Sequence, residues 1–419
     1  MDELRAVAME RFQSMAWPTP SEEEWRRTDL SGVDLDGWVA PTPRPAPPAR
    51  GGQPRPPRRA AEDPVAPPAG RIVIEGGRVT AVDLGRPWQA EGVRLLGLEQ
   101  ALVEFADPVQ ELFHAALQEA DNRFIAWHYA TWTHGALLYV PAFLEIREPF
   151  VIELREGHGN GERRLSAPHV VVLLAEGARA SVVQAIEGDG QVLCNAAFDL
   201  RVGPAAALRW YESQALGEGS LYFRHARARV DRDASLEHFD ASLGSRLVKT
   251  RVDCALTGPG SEAYLDGVYF PHGEQHMDIR TVQRHCSPRA TSRAFYKGAV
   301  KDSSRAVFQG LIDVSPGASG TDAFLTNRNI LLNDGARADS IPSLKIGNND
   351  VKCSHGSTVG RIREEELFYL MSRGLPRDEA RELLVLGYFD ELLAKTPEEF
   401  RGTVLPMLHA RLRTDPAAP

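Results

Sequence analysis

The residue types best suited to soft-metal chemistry cluster at Val351-Lys352-Cys353-Ser354-His355-Gly356. On an extended strand, residues i and i+2 face the same way, so the Cys353 thiol and the His355 imidazole can approach one metal together. Thiolate and imidazole are ligands suited to iron and iron–sulfur clusters. Val351 shares their parity, and a C-x-H pair beside it is equally the pattern of a face packed into a core. A second group, His272 and His276 beside Glu274 and Asp278, lies among proline and glycine and reads as a solvated turn. His285-Cys286 would occupy opposite faces of a strand, which argues against shared ligation.

Other chemistry is missing from the sequence. Glycine is nowhere followed by lysine, so there is no phosphate-binding P-loop and no case for ATP hydrolysis by this chain. Neither a G-x-S-x-G elbow nor an H-E-x-x-H zinc helix occurs. The four cysteines, at 194, 254, 286 and 353, are too scattered for a disulfide framework or a zinc ribbon. Three of them are expected to be buried small hydrophobes. A formal charge of −9 argues against nucleic acid as a partner, because phosphate binding needs a concentrated positive surface. No apolar run reaches the roughly 18 residues of a membrane helix. Asp2, Glu3, Arg5, Glu10 and Arg11 break any apolar leader near the N-terminus, so the expected compartment is the cytoplasm and no membrane is expected as a partner.

The elements that would position these residues follow from hydrophobic periodicity. Residues 1–40 form an N-terminal helical segment, with Leu4, Val7, Ala8, Phe12 and Met15 near helical spacing. Residues 41–68 hold eleven prolines and read as an extended linker. Residues 69–165 make a β/α segment, opening with a hairpin through Arg71–Glu75, Gly76-Gly77 and Arg78–Val82, with a helix over 108–119.

Residues 166–360 carry a repeat. Tokens of small residues begin at Gly177, Ala205, Asp233 and Gly260, spaced 28, 28 and 27 apart, and later ones recur at steps of 14 to 18. A unit near 14 fits a stacked coil of about two strands per turn, with small residues at the corners. A β-sandwich also supplies short strands with regular turns; the near-constant step favours the coil. In Ser304–Val314 the residues Ala306, Phe308, Gly310 and Ile312 share one parity and form a candidate core face. Residues 361–419 turn helical: Leu367, Leu370 and Met371, a stop at Arg373-Gly374, then Ala380, Leu383, Leu384, Tyr388 and Leu392, and a capping box at Thr396–Glu399. Three such helices either cap the open edge of the coil or dock a partner.

From Gly267 to Leu392 the chain resembles the SufB/SufD family of iron–sulfur cluster assembly proteins. The resemblance rests on His285 with Pro288, Lys297-Gly298, Arg305–Gly310, Thr326–Leu332, Ile341–Ile346, Asp350–Gly356, Thr358–Gly360, Leu367–Leu370 and Ser372–Gly374, and on Pro18 and Glu24–Leu30 near the start. SufB-like members carry a scaffold cysteine within the segment that here reads Thr326-Asn327-Arg328-Asn329. Its absence, with the Cys-Ser-His-Gly element, places the resemblance on the SufD side. The resemblance implies a mainly β fold, a right-handed parallel β-helix core flanked by N-terminal and C-terminal α-helical segments. It implies a non-catalytic scaffold that pairs with a SufB-like subunit and docks a SufC-like ABC ATPase through Leu367, Phe368, Tyr369, Arg373, Gly374, Leu383 and Tyr388. His355, with Cys353, would then lie at the subunit interface. His355 is the candidate metal ligand toward a transient cluster or iron, and no cofactor is stably held. A homodimer is expected in isolation, since the partner surface would otherwise stand exposed. The competing reading is a carbohydrate-active parallel β-helix enzyme, which would show three or four close carboxylates on one solenoid face.

Overall fold

A computed structural model describes residues 1–35, 38, 67–157 and 163–413. The proline-rich linker expected at 41–68 therefore lies, through residue 66, outside the described residues. Helix α1 (Asp2–Ser14) is followed by an irregular segment, and the hairpin β1 (Gly70–Glu75) and β2 (Arg78–Leu84) opens the β region. Then come α2 (Arg86–Ala90), β3 (Arg94–Gly97), α3 (Leu98–Glu104), α4 (Ala106–Glu119), α5 (Arg123–Thr131), β4 (His134–Val140), β5 (Phe150–Arg155) and β6 (Arg164–Ser166).

From there the chain coils. The strands are β7 (Pro168–Leu174), β8 (Arg179–Gly188), β9 (Val192–Val202), β10 (Ala207–Leu216), β11 (Leu221–Val230), β12 (Ser235–Ser242) and β13 (Leu247–Leu256). They continue through β14 (Glu262–Tyr269), β15 (His276–His285), β16 (Thr291–Val300), β17 (Arg305–Val314), β18 (Thr321–Leu331), β19 (Arg337–Ile346) and β20 (Val351–Arg361). From β7 onward, even-numbered strands stack in parallel in one sheet and odd-numbered strands in the other, giving a solenoid of about seven turns with two strands per turn. The coil, not the sandwich, is the arrangement adopted.

The small-residue tokens explain the repeat. Gly177, Ala205, Asp233, Gly260, Arg289 and Gly320 all adopt positive φ, between 54° and 71°, at the same corner of successive turns. A left-handed residue reverses the chain in little space, and each donates its N–H to the next coil: Gly177 to Pro204 O, Ala205 to Arg232 O, Asp233 to Pro259 O. The spacing read from the sequence is thus the length of one full turn.

Strand parity divides buried from outward-facing residues. One set, including Leu208, Trp210, Leu236, Leu265, Met277, Ala306, Phe308 and Ile312, fills the space between the two sheets. The opposite parity is covered by three outer layers. α1, α4 and α5 pack on the outer face at β4 and β7 through Leu4, Leu112, Phe113 and Tyr129. The N-terminal segment lays Trp25, Leu30 and Leu35 across Leu193, Leu221, Phe223 and Leu247. Two C-terminal helices, α7 (Arg377–Leu393) and α8 (Glu398–Arg413), press Val385, Phe389, Phe400 and Val404 onto Tyr211, Phe239, Val268 and Phe270. They lie along an outer face and leave the end of the coil uncovered, so capping the open edge is not their role. The shorter α6 (Glu364–Ser372) precedes them and ends at Gly374, whose φ of 95° is the left-handed turn that glycine accepts. Thr396 Oγ1 donates to Leu393 O at 2.7 Å, closing α7.

Two expectations need correction here. Cys194 and Cys254 are buried, but Cys286 is exposed and Cys353 half-buried, so two cysteines and not three serve as core residues. The corner following β15 turns the Cys286 side chain away from the space that His285 fills. In α1, Val7 faces solvent and the buried stripe narrows to Leu4 and Ala8, because the helix packs chiefly on α5 along one line of contact.

The candidate site at the open end of the solenoid

Each turn of the coil satisfies its backbone by pairing with the turns on either side. The last turn has only one neighbour. β19 pairs with β17 alone and β20 with β18 alone, so among the described residues each leaves one row of backbone N–H and C=O groups without a sheet partner. Such an edge is a template for strand addition. It also carries apolar side chains: Leu344 and Ile346 on β19 and Val359 on β20 are exposed, with Phe324 on β18 beside them.

Cys353 and His355 belong to this edge. In register, Cys353 sits opposite Ala323 and His355 opposite Leu325, both of which are buried in the core. The pair therefore has inward parity, as Val351 suggested, yet among the described residues no further coil lies over it. Cys353 packs partly against the core while His355 is exposed. Burial pushes the Cys353 thiol above its ordinary value, opposed by the backbone hydrogen bond with Ala323. A thiol held protonated is a weak ligand until a metal displaces its proton. No group of three or more His, Cys, Asp or Glu side chains among the described residues is arranged to hold a metal.

The other sequence candidates have different duties. His276 and Asp278 are not in a solvated turn: they lie on β15, where Thr28 Oγ1 donates to Asp278 Oδ2 at 2.5 Å and lies 2.9 Å from His276 Nε2. Lys249 Nζ completes the group, bonding Asp278 at 2.7 Å and the carbonyl of Glu24 at 2.8 Å. These residues fasten the N-terminal segment to the coil. The proline and glycine that suggested a loop end just before the strand begins. His285 is sealed in the core, 2.8 Å from Ser292 Oγ, and burial pushes it down to about 4.

Of the seven residues proposed to dock an ATPase, Phe368 (72% exposed), Tyr369, Arg373 and Leu383 (52% exposed) face solvent, joined by Met371. Arg373 stacks its guanidinium 5.4 Å from the Tyr369 ring. Gly374 forms the turn between α6 and α7. Leu367 is buried, and Tyr388 is half-buried, donating from its hydroxyl to Arg328 O at 2.6 Å. Below Tyr388, the Lys297 ammonium lies 4.5 Å from the ring and bonds Glu391 at 2.5 Å. The aromatic residues thus split into an outward pair, Phe368 and Tyr369 on α6, and an inward anchor, Tyr388 on α7. Acidic side chains fill the first turns of both helices, Glu364, Glu365 and Glu366 on α6 and Asp378 and Glu379 on α7.

One arrangement gave no signal as a motif. Inside the coil, Glu212, Asp240 and Arg224 form a buried triad, the guanidinium bonded to both carboxylates; Trp210 Nε1 and Ser242 Oγ donate to the remaining oxygens. Burial pushes Glu212 up to about 7, Arg224 opposing this and Asp240 adding to it. Only register relates these residues: Glu212 pairs with Asp240, whereas Arg224 reaches across from the facing sheet. A carbohydrate-active site would need close, available carboxylates on an outer face. Those on β13, β15 and β17 are neutralised, Asp253 by Arg251, Asp278 by Lys249 and Asp313 by Arg284. The structure does not support that alternative.

Residues 157–388 match the family model described as the SUF system FeS cluster assembly, SufBD core domain. The chain is 33% identical over 282 residues to an iron–sulfur cluster assembly SufBD family protein of Mycobacterium tuberculosis, covering 65% of this chain and 70% of that one. A relative of the same description from Mycobacterium leprae is 31% identical, over 65% and 71% of the two chains. One from Staphylococcus saprophyticus is 26% identical over 316 residues, 74% of this chain and 67% of its own.

Proposed function

Because the chain belongs to the SufBD family of iron–sulfur cluster assembly proteins, we propose that it is the SufD-like scaffold subunit of an assembly complex, pairing with a SufB-like subunit through the open end of its solenoid. The observation that carries this reading is the pair of uncovered strands β19 and β20 with His355 beside them. A second solenoid offering its own edge strands would complete both backbone rows and cover Leu344, Ile346 and Val359. His355 would then meet groups of the partner, where an imidazole and a neighbouring thiolate can hold iron or a nascent cluster as cargo. Thr326–Asn329 offers no cysteine of its own, so the thiolate is assigned to the partner, with Cys353 as a secondary donor. Alone, the chain would pair with a second copy through the same edges.

The work cycle is assigned to a SufC-like ABC ATPase docking on Phe368, Tyr369, Met371 and Leu383, a surface anchored to the coil through α7. The chain itself serves as scaffold rather than enzyme. The cytoplasm is its expected compartment in this reading, and no helix among the described residues is long and apolar enough to cross a membrane.

The test is anaerobic reconstitution of cluster assembly with the SufB-like subunit and the ATPase. His355→Ala should leave the complex intact and lower cluster yield, read by absorbance and electron paramagnetic resonance. An unchanged yield would remove His355 from assembly.

A further inference from the structure

Far from the open end, five polar side chains meet in the seam between the helical layer and the outer face of the solenoid. His128 and Tyr129 come from α5, His169 from β7, Asp199 from β9 and Arg227 from β11, and all five are buried. His128 Nδ1 lies 2.7 Å from the carbonyl oxygen of Asn195. His128 Nε2 lies 2.9 Å from His169 Nδ1, and His169 Nε2 lies 3.0 Å from Asp199 Oδ2. Tyr129 OH donates to the same carboxylate at 3.2 Å, and Arg227 Nε donates to its other oxygen at 3.0 Å. Arg227 also donates to Leu112 O on α4, and the Phe113 ring covers His169 at 4.3 Å.

The proton count of this chain of contacts is fixed by what each end can do. A carbonyl oxygen only accepts, so His128 Nδ1 must carry a proton. Asp199 is held ionised, well below the usual carboxylate range; against burial, the Arg227 charge is the largest lowering cause and the His169 hydrogen bond the next. An ionised carboxylate also only accepts, so His169 Nε2 must carry a proton. The contact between the two rings needs one more. Two neutral imidazoles hold two protons between them, and the geometry calls for three. With only two, one contact becomes lone pair against lone pair at hydrogen-bond distance, fully buried.

We propose that His128 and His169 share a third proton, forming a buried, singly charged imidazole pair that latches the α4–α5 layer onto the solenoid through Asp199. Burial opposes charge on either ring, and His128 is lowered further by the charge of His169. Asp199 supplies the compensating charge. The other charged or titratable groups facing the pair are Arg227, Glu119 on α4, Tyr129 and His225 on β11; His225 Nε2 lies 2.9 Å from Asp253 Oδ2. The pair titrates as a unit. Loss of the shared proton leaves lone pair facing lone pair between the rings, so the latch loses strength as pH rises through the pair's own titration. A second proton is refused, because two buried imidazolium rings in contact repel.

The test is ¹⁵N NMR of the full chain labelled at histidine, with the ring signals assigned through His128→Gln and His169→Gln. At about pH 7.5, a unit above the ordinary imidazole value, three of the four ring nitrogens should be of protonated type. Two protonated and two bare nitrogens would overturn the proposal. Should either variant not fold, hydrogen exchange in the unaltered chain answers the same question. Protection of the α5 amides, corrected for intrinsic exchange, should fall by up to about tenfold per pH unit as the shared proton is lost. Protection flat through the alkaline range would overturn it.

Discussion

Phe389 and Leu383 lie on the same helix, and replacing each with alanine separates what holds α7 from what α7 offers. Phe389 is fully buried, its ring 6.1 Å from Phe270 of the solenoid, within the cluster of Val385, Leu392, Phe400 and Val404. A buried phenylalanine removes roughly 200 Å² from water, and truncation to alanine in a packed layer costs about 3–5 kcal/mol. That is comparable with what a two-helix layer can hold against local opening. Phe389→Ala should therefore raise amide exchange across Arg377–Arg413 by a hundredfold or more, the solenoid strands remaining protected. Leu383 is half exposed, and Leu383→Ala should shift stability by less than about 0.5 kcal/mol. It should nevertheless weaken capture of the ATPase, measured by copurification or titration calorimetry. If Phe389→Ala left α7 and α8 as protected as before, the claim that these helices are held by apolar burial on the outer face would fail. If Leu383→Ala left ATPase affinity unchanged, the outward surface would lose its assigned partner.

The buried triad predicts a pH dependence. Glu212, pushed up to about 7, keeps its proton in the fold while the unfolded chain gives it up near the ordinary value, so stability falls as pH rises through that window. The loss is on the order of 3 kcal/mol, and Glu212→Gln should remove most of it in urea unfolding followed from about pH 5 to pH 8. At Gly267 there is no room for a methyl group: a Cβ would stand 2.3 Å from the fully buried Tyr296 ring and 2.9 Å from Asp240 O. Gly267→Ala should cost about 1–3 kcal/mol or more, read as a lower thermal midpoint. Thr28→Val removes a donor to Asp278, whose remaining partners are Lys249 and Gln309. It should cost about 1–3 kcal/mol and speed proteolysis of the first 35 residues more than of the coil.

The solenoid was legible in the sequence because its corners impose a sterically demanding conformation at a fixed interval. The tokens at 177, 205, 233 and 260 are residues with positive φ, and their spacing is the turn length. The C-terminal helices were legible through their apolar stripes, but those stripes did not say what they would cover. The same spacing serves a cap and an outer layer, and only the apolar outward parity of Tyr211, Phe239 and Val268 distinguishes them. His276 looked like part of a loop because proline and glycine precede it, although the strand starts at His276 itself. The triad of Glu212, Arg224 and Asp240 and the His128–His169 pair left no local trace. Their members are brought together by strand register across turns and by helix docking, and neither is written in short-range spacing. Cys353 and His355 were found because the two-residue repeat of a strand is local, whereas their place on an uncovered last turn became evident only in three dimensions.

The most direct examination of the partner assignment is hydrogen exchange of this chain, alone and mixed with its SufB-like subunit. Alone at low concentration, the amides on the free sides of Arg337–Ile346 and Val351–Arg361 should exchange rapidly. On mixing, those in both segments should become strongly protected, with His355 between them. A stable complex in which both strands exchange as fast as before would contradict the account.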